Sequence, residues 1–490
     1  MVLVAVLFLA PLITGLFAWV AQSQRFTEKL QAVGALATLA AAGKIASAVY
    51  YGGAINGWHD IIYIDALSAF NIFLIALIGF AASLYSIGYM RHELAEGEIS
   101  FSQLRFYYLF YHLFIFTMLT VSAVNSLGLL WVGIELTTLV SALLVAFYGK
   151  NNALEAAWKY LIMGSVGIAF ALLGIIFVYL SGIQTLGQQH AALNWTELLA
   201  AAKFLNPSWI KIGFIFILIG FGTKAGLAPM HFWLPDAHSQ APTPISAVLS
   251  GVLLNTALYG LFRVYAIANT TLNGEAAQYL IFFGLFSIAI TVPFIMIQHD
   301  LKRMLAYSSV EHMGIITLSV GIGGTLGLYG AFLHMFNHSM AKSLLFFAAG
   351  TICQKYHTKQ MGRITGILKS MPVTGTIFLI AAFAITGAPP FNIFLSEITI
   401  MMAGFKSNQT IVSVILIVLI TIIFAGMMHY IIKMVFGESG NKVERIETSN
   451  WSTVALIIPL ILVVICGWYV PPLLDNTIYK VSTVLQGGVR

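Results

Sequence analysis

The stretch GFGTKAGLAPMHFWLPDAH, residues 220–238, starts as an apolar helix and then meets two prolines, Pro229 and Pro235, with Lys224 just ahead of them. Proline removes a backbone donor and collides with the preceding turn, so a helix through this stretch must break. A second stretch, AITGAPPFNIFLSEITI (384–400), repeats the arrangement with Pro389, Pro390 and Glu397. Non-helical backbone is tolerated inside a bilayer only where it is buried in protein or lines a wet cavity. These two breaks decide the fold: two helices interrupted at membrane depth, each with an ionisable side chain beside the interruption.

The remainder of the chain argues for the membrane itself. Of 490 residues, 59% are hydrophobic and only 9% charged, whereas a soluble protein carries about 25% charge; mean hydropathy is +0.90. Hydropathy divides the chain into about fourteen spans. They lie near 2–20, 30–51, 65–90, 106–122, 126–148, 156–181, 208–238, 243–268, 275–298, 301–323, 325–354, 372–406, 410–436 and 451–474. The first is too long and too weakly basic at its front for a cleaved signal and reads as a spanning helix. The broken spans are the seventh and the twelfth, five apart. Lys224 precedes Pro229 by five residues and Glu397 follows Pro390 by seven, a mirrored order suited to inverted repeats. The expected fold is an all-α integral membrane protein with about fourteen transmembrane helices, two inverted five-helix repeats and two broken helices. Residues 1–105 would hold helices 1–3, 106–268 the first repeat (helices 4–8), 269–436 the second (helices 9–13) and 437–490 helix 14.

Sidedness follows from lysine and arginine in and beside the loops. Fifteen, including Arg91, Lys150, Lys302, Arg303, Lys442 and Arg445, fall on the side reached after odd-numbered spans; seven, including Lys44, Arg263, Lys480 and Arg490, fall on the other. Lys224 and Lys342 complete the 24. Both termini should therefore face away from the cytoplasm. The net charge of +6 reads as cytoplasmic loops meeting anionic lipid, and implies no nucleic acid. Cys353 and Cys466 sit in unrelated spans and suit neither a CxxC pair nor a cluster. No phosphate loop, dinucleotide fingerprint or nucleophile set stands on an extramembrane domain, so redox and nucleotide chemistry belong elsewhere.

A charge at mid-bilayer costs roughly 2.5–3.5 kcal/mol on insertion scales, so each buried ionisable group asks for a function. Glu135 lies well inside SLGLLWVGIELTTLVSALLVAF; it either faces a partner cation or is a structural carboxylate bonded to Thr137 or Thr138. Lys224 stands at a glycine-rich approach to a break, where a moving carboxylate partner would switch its charge. HMFNHSMAK (334–342) puts His334, His338 and Lys342 at i, i+4 and i+8 on one helical face. A metal reading of that stripe lacks a third histidine or a carboxylate, and the lysine would repel the cation. A proton relay fits, because imidazole accepts on one nitrogen and donates from the other, with waters bridging the steps. Glu397 is the carboxylate of the second broken span, an exit group or the partner of a neighbouring helix. His231, Asp236 and His238, after the first break, form an inlet or a solvated turn. Lys302 and Arg303 read as positive-inside anchors. Glu311 and His312 lie deeper in the tenth span, and His312 is a candidate extension of the relay. With no substrate-sized polar pocket signature and no energy-consuming motif, protons or Na+ are the natural cargo.

Several motifs then add a resemblance. LYSIGYMRHELAEGE (84–98), LEAAWKYLIMGSVGIAF (154–170), GFGTKAGLAPMHFWLPDAHSQAPTPISA (220–247), HDLKRMLAYSSVEHMG (299–314) and APPFNIFLSE (388–397) resemble the antiporter-like subunits of respiratory complex I, membrane-bound hydrogenases and Mrp antiporters. The resemblance covers essentially the whole chain and is closest to the F component of hydrogenase-4. It implies a hydrophilic axis at mid-membrane, a Glu135–Lys224 pair and a second half-channel closed by Glu397. In the eighth span, LSGVLLNTALYGLFR (249–263), complex I subunits of similar length carry a lysine where this chain has Asn255, which does not titrate. The link between the halves would then use water held by Asn255 and Tyr259. The resemblance further implies a proton-translocating subunit of a hydrogenase-4-like or formate hydrogenlyase-like complex in a prokaryotic inner membrane. No cofactor is expected in this chain; iron–sulfur clusters and a nickel–iron centre would sit in a peripheral redox arm, beside other membrane subunits. A Mrp-type cation/proton antiporter subunit or a complex I subunit is the alternative.

Overall fold

A computed structural model describes residues 1–187, 191–438 and 450–487. Lys442, Arg445 and Arg490 of the sidedness argument, and most of the loop 437–450, lie outside the described residues. The helices run α1 (Val2–Val20), α2 (Gln24–Gly52), α3 (Ala66–Ala95), α4 (Phe101–Ala123), α5 (Leu127–Val145), α6 (Asn151–Leu186), α7 (Trp195–Ala200), α8 (Pro207–Ala225), α9 (Trp233–Gln240) and α10 (Thr243–Val248). They continue as α11 (Leu254–Thr271), α12 (Glu275–Met296), α13 (Leu301–Ile322), α14 (Gly324–Tyr356), α15 (Ile367–Ser370), α16 (Pro372–Ile385), α17 (Asn392–Lys406), α18 (Thr410–Phe436), α19 (Asn450–Trp468) and α20 (Pro472–Leu485).

Each of the fourteen expected spans falls on a helix or on consecutive helices. Eleven described helices are long and apolar enough to cross a membrane by themselves. The three spans that fall short are α13, α14 and the pair α16–α17, which carry Glu311, His312, His334, His338, Lys342 and Glu397. Polar groups lower the hydropathy of α13 and α14, which the bundle buries, whereas the proline break leaves α16 and α17 each too short to span alone. The eighth span, α10 through α11, is buried apart from Asn269 and Thr270 and forms the centre of the molecule. A π-helical turn, Leu249–Leu253, joins its two parts; no proline in the segment announces it.

Both breaks form where proline dictates. At the first, α8 ends on Gly226 with φ 78°, a left-handed cap that suits glycine. The freed backbone is satisfied internally: Trp233 Nε1 donates to Thr223 C=O (2.9 Å) and Ala228 N–H to Ser287 Oγ (2.9 Å). At the second, Gly387 has φ 72°, and Asn337 and Asn392 exchange side-chain donors for each other's carbonyls at 2.7 and 3.2 Å. That exchange ties α14 to α17.

Glycine brings α6 and α8 into backbone contact. A Cβ on Gly220 would lie 2.5 Å from Gly167 C=O, and one on Gly174 would lie 2.6 Å from Gly213 C=O, the small-residue packing that membrane helices use in place of a hydrophobic drive. This contact sets Tyr160 of α6 beside Lys224 of α8.

Three features depart from the sequence reading. A short antiparallel hairpin, β1 (Ile55–Gly57) and β2 (Ile62–Ile64), follows α2. The last span ends at Trp468, and Pro471 and Pro472 start the separate α20, which buries Ile478, Val481, Val484 and Leu485 on one face. Arg263, counted among the loop charges, is instead 2% exposed and grips Asp65 through two hydrogen bonds of 2.6 Å. Trp195 stacks under its guanidinium at 4.2 Å.

Breaking one side of a buried ion pair leaves an uncompensated charge and costs about 3–5 kcal/mol. Arg263→Leu should therefore sharply lower the yield and thermal midpoint of detergent-solubilised protein, and the double variant Asp65→Asn/Arg263→Leu should recover much of the loss. Gly220→Val should prevent α6–α8 contact, read as loss of a cysteine crosslink engineered between the two helices.

Candidate functional site

Lys224 occupies the last turn of α8 and is 0% exposed. Its ammonium donates to Tyr160 Oη at 2.5 Å and to Thr138 Oγ1 at 2.8 Å, and lies 4.6 Å from the Tyr160 ring centroid. Because Lys224 donates to it, Tyr160 in turn donates its O–H to Ser141 Oγ (2.6 Å), which donates to Thr137 C=O (2.5 Å). Glu135 accepts from Ser165 Oγ at 2.7 Å, and its second carboxylate oxygen is buried without a protein partner. The pairing implied for Glu135 and Lys224 is thus not a direct ion pair. Thr138, one turn along α5 from Glu135, takes the ammonium instead. Neither Tyr160 nor Ser165 was singled out by sequence; both lie within the 154–170 motif, and their hydroxyls are the only signal there.

The second cluster forms between α13, α14 and α17. His334, His338 and Lys342 do share one face of α14, but they do not bond along it. His334 Nε2 faces His312 Nδ1 of α13 at 3.0 Å, and His334 Nδ1 faces Ser396 Oγ of α17 at 3.0 Å. Hydrogen placement follows from the network: Ser396 donates to Ile393 C=O (2.8 Å), so it accepts from His334 Nδ1–H. Neutral His334 then accepts on Nε2 from His312 Nδ1–H. The row zigzags between helices, and His312, secondary in the sequence reading, stands at its centre. The His338 ring lies 5.2 Å from that of His312, with both of its nitrogens buried and free of protein partners. Lys342 donates to Leu305 C=O (2.7 Å) and Ser308 Oγ (2.9 Å) of α13. Glu397 follows Ser396 on α17 and is 5% exposed; a side chain at Gly387 would collide with its carboxylate.

Between the clusters, Asn255 donates to Ser339 Oγ at 2.8 Å, beside His338, while its Oδ1 has no protein partner. Tyr259 does not join the axis. It bonds Ser68 Oγ (3.0 Å) and Ser122 C=O (3.2 Å) within the Asp65–Arg263 cluster, so only Asn255 remains as a bridge. Buried polar atoms without partners are rare in proteins and mark places for ordered water.

The remaining candidates divide by surroundings. Asp236 pairs with Lys159 (3.2 Å) and Arg303 at the edge of a cavity of about 260 Å³, away from the histidines. His231 packs among Phe232, Phe294 and Tyr307. His238 is buried with its ring stacked on Phe346 of α14 at 5.4 Å. A second cavity, about 520 Å³, is lined by Glu93, Glu96, Glu98, His357, Lys302 and Lys359 among others. Lys302, read as a surface anchor, is 3% exposed and donates to Ala241 C=O (2.7 Å), three residues from His238. The structure therefore brings Lys302 to the wall of a polar vestibule, while His238 stays buried behind it.

The chain is similar to known membrane proteins over most of its length. Residues 124–424 match the family described as NADH:quinone oxidoreductase/Mrp antiporter, transmembrane, and residues 61–97 match the N-terminus of NADH-ubiquinone oxidoreductase (complex I) chain 5. A hydrogenase-4 component F homolog of Methylacidiphilum infernorum is 39% identical over 428 residues, covering 86% of this chain and 88% of the relative. NADH-quinone oxidoreductase subunit N of Desulforudis audaxviator is 32% identical over 375 residues, 74% of this chain and 70% of the relative. The fold matches a chain of the archaeal membrane-bound sulfane sulfur reductase with TM-score 0.86 at 24% identity, over 99% of this chain and 97% of the other. It also matches a chain of the Mrp complex of Dietzia sp. with TM-score 0.85 at 18% identity and the same coverage. Matched across three fifths of its length by a single family, this multi-pass membrane chain belongs to the NADH:quinone oxidoreductase/Mrp antiporter family.

Proposed function

We propose that the chain is the proton-translocating membrane subunit of a redox-driven complex of the hydrogenase-4 or formate hydrogenlyase type. The observation that carries this reading is Lys224: a wholly buried ammonium at a helix break, held by the hydroxyls of Thr138 and Tyr160 with Glu135 one turn away. Such a lysine gains or loses its proton as Glu135 approaches or withdraws. Protons arrive through the vestibule beside Lys302 and His238, pass by water at Asn255 and His338, and leave through His312, His334 and Ser396 toward Glu397. Helices 4–8 and 9–13 act as the two inverted half-units. The 39% identity with the hydrogenase-4 component F homolog favours a redox driver over an ion-gradient driver. Iron–sulfur clusters and a nickel–iron centre then belong to companion subunits. The complex sits in a prokaryotic inner membrane with both termini of this chain outside the cytoplasm.

Purification of the intact complex should recover hydrogenase large and small subunits; recovery of a multisubunit antiporter assembly alone would reject the redox reading. In sealed vesicles, Lys224→Met should abolish proton translocation with the complex assembled, and normal pumping would reject the site. His312→Ala should slow proton transfer by about 10²-fold, the lower end for loss of a positioned acid–base group, and by more than His338→Ala. Equal effects of the two would restore the single-helix relay along α14.

A further inference from the structure

Glu311 on α13 has no part in the pathway above, yet it is a carboxylate 4% exposed within a membrane span. Its position parallels that of Glu135. Glu135 and Thr138 are three residues apart on α5, and Thr138 receives the Lys224 ammonium. Ser308 and Glu311 are three residues apart on α13, and Ser308 receives the Lys342 ammonium at 2.9 Å. The order is reversed, hydroxyl before carboxylate in the second case. Spans five and ten, which hold α5 and α13, are also the second helices of the two five-helix units. Electrostatics agree with this geometry: Glu135 is the carboxylate that acts on Lys224, and Glu311 the carboxylate that acts on Lys342. Glu311 also acts on Glu397.

We propose that Glu311 is a positioning residue for Lys342, giving the chain a second carboxylate–lysine switch, with Ser308 as the intervening hydroxyl. This rests on the proton-translocating reading. An ionised Glu311 holds the proton on Lys342. When the Lys342 proton departs along the histidine row, the Glu311 charge loses its counter-charge and opposes ionisation of Glu397 until the lysine is reloaded. The proton that leaves Lys342 is the one the next group receives, so charge balances at each step.

The test uses the intact complex in sealed membrane vesicles, driven by reduced methyl viologen as electron donor, with valinomycin and K+ present and proton movement read by a pH dye. Glu311→Gln should lower the ratio of protons moved to viologen oxidised by about tenfold, the change that one unit of proton affinity carries. Glu311→Asp should restore most of that ratio, and Glu311→Gln/Lys342→Met should be no worse than Lys342→Met alone. A wild-type ratio in Glu311→Gln, or losses that multiply in the double variant, would overturn the proposal. If Glu311→Gln fails to assemble, assembly of the double variant supports the pair and its failure refutes it. Lys224→Met separates the two levels: if it pumps normally the translocation reading itself falls, and if it is inactive while Glu311→Gln is normal only the second switch falls.

Discussion

No backbone or charged group inside a bilayer can leave its partner without finding another within the protein. Everything unusual in this chain is arranged around that constraint. Two helices open at membrane depth because Trp233, Ser287, Asn337 and Asn392 supply the lost hydrogen bonds. Those openings place Lys224 at the end of α8 and Glu397 in the second turn of α17. The spans that carry most of the titrating groups, α13 and α14, are the ones least able to face lipid, and the bundle encloses them.

The buried cations fall into two chemical kinds. Arg263 is clamped by Asp65 through two short hydrogen bonds and by Trp195 from below. Guanidinium does not deprotonate in proteins, so this pair fixes α3 to α11 permanently. Lys224 and Lys342 accept no such clamp. Their ammonium groups rest on hydroxyl and carbonyl oxygens, partners that stabilise the charge less than a carboxylate would and that remain compatible with a neutral amine. Lysine shifts its proton affinity readily when buried. The distinction between arginine with a carboxylate and lysine with hydroxyls separates a structural lock from a movable charge within one fold.

Much of this was legible in the sequence. The two proline breaks, the spans and the ionisable groups at Glu135, Lys224, His334, His338, Lys342 and Glu397 stand out because polar residues in greasy helices are conspicuous. What the sequence could not show was which helix each group faces. Helical spacing put His334, His338 and Lys342 in one line, and that line exists, but their hydrogen bonds run sideways to α13 and α17. The family resemblance implied a Glu135–Lys224 pair, whereas hydroxyls of ordinary appearance, Thr138, Tyr160 and Ser165, intervene. Arg263 looked like a loop residue because it sits near the end of its span; only the fold brings Asp65 to it from nearly two hundred residues away. Serine and threonine occur on many membrane helices, and composition alone cannot tell a bystander from a bridge.

The His312–His334–Ser396 row has a handedness in time as well as in space. With His312 Nδ1 donating to His334 Nε2, and His334 Nδ1 to Ser396, a single passage leaves both imidazoles in the opposite tautomer. Neither ring regains its starting form by exchanging protons forward. Each must turn over within its socket, and each is gripped at one or both nitrogens while it waits. On the proposed pathway the row would work as an escapement: one tick, one proton, and no second until something loosens the packing enough for the rings to turn.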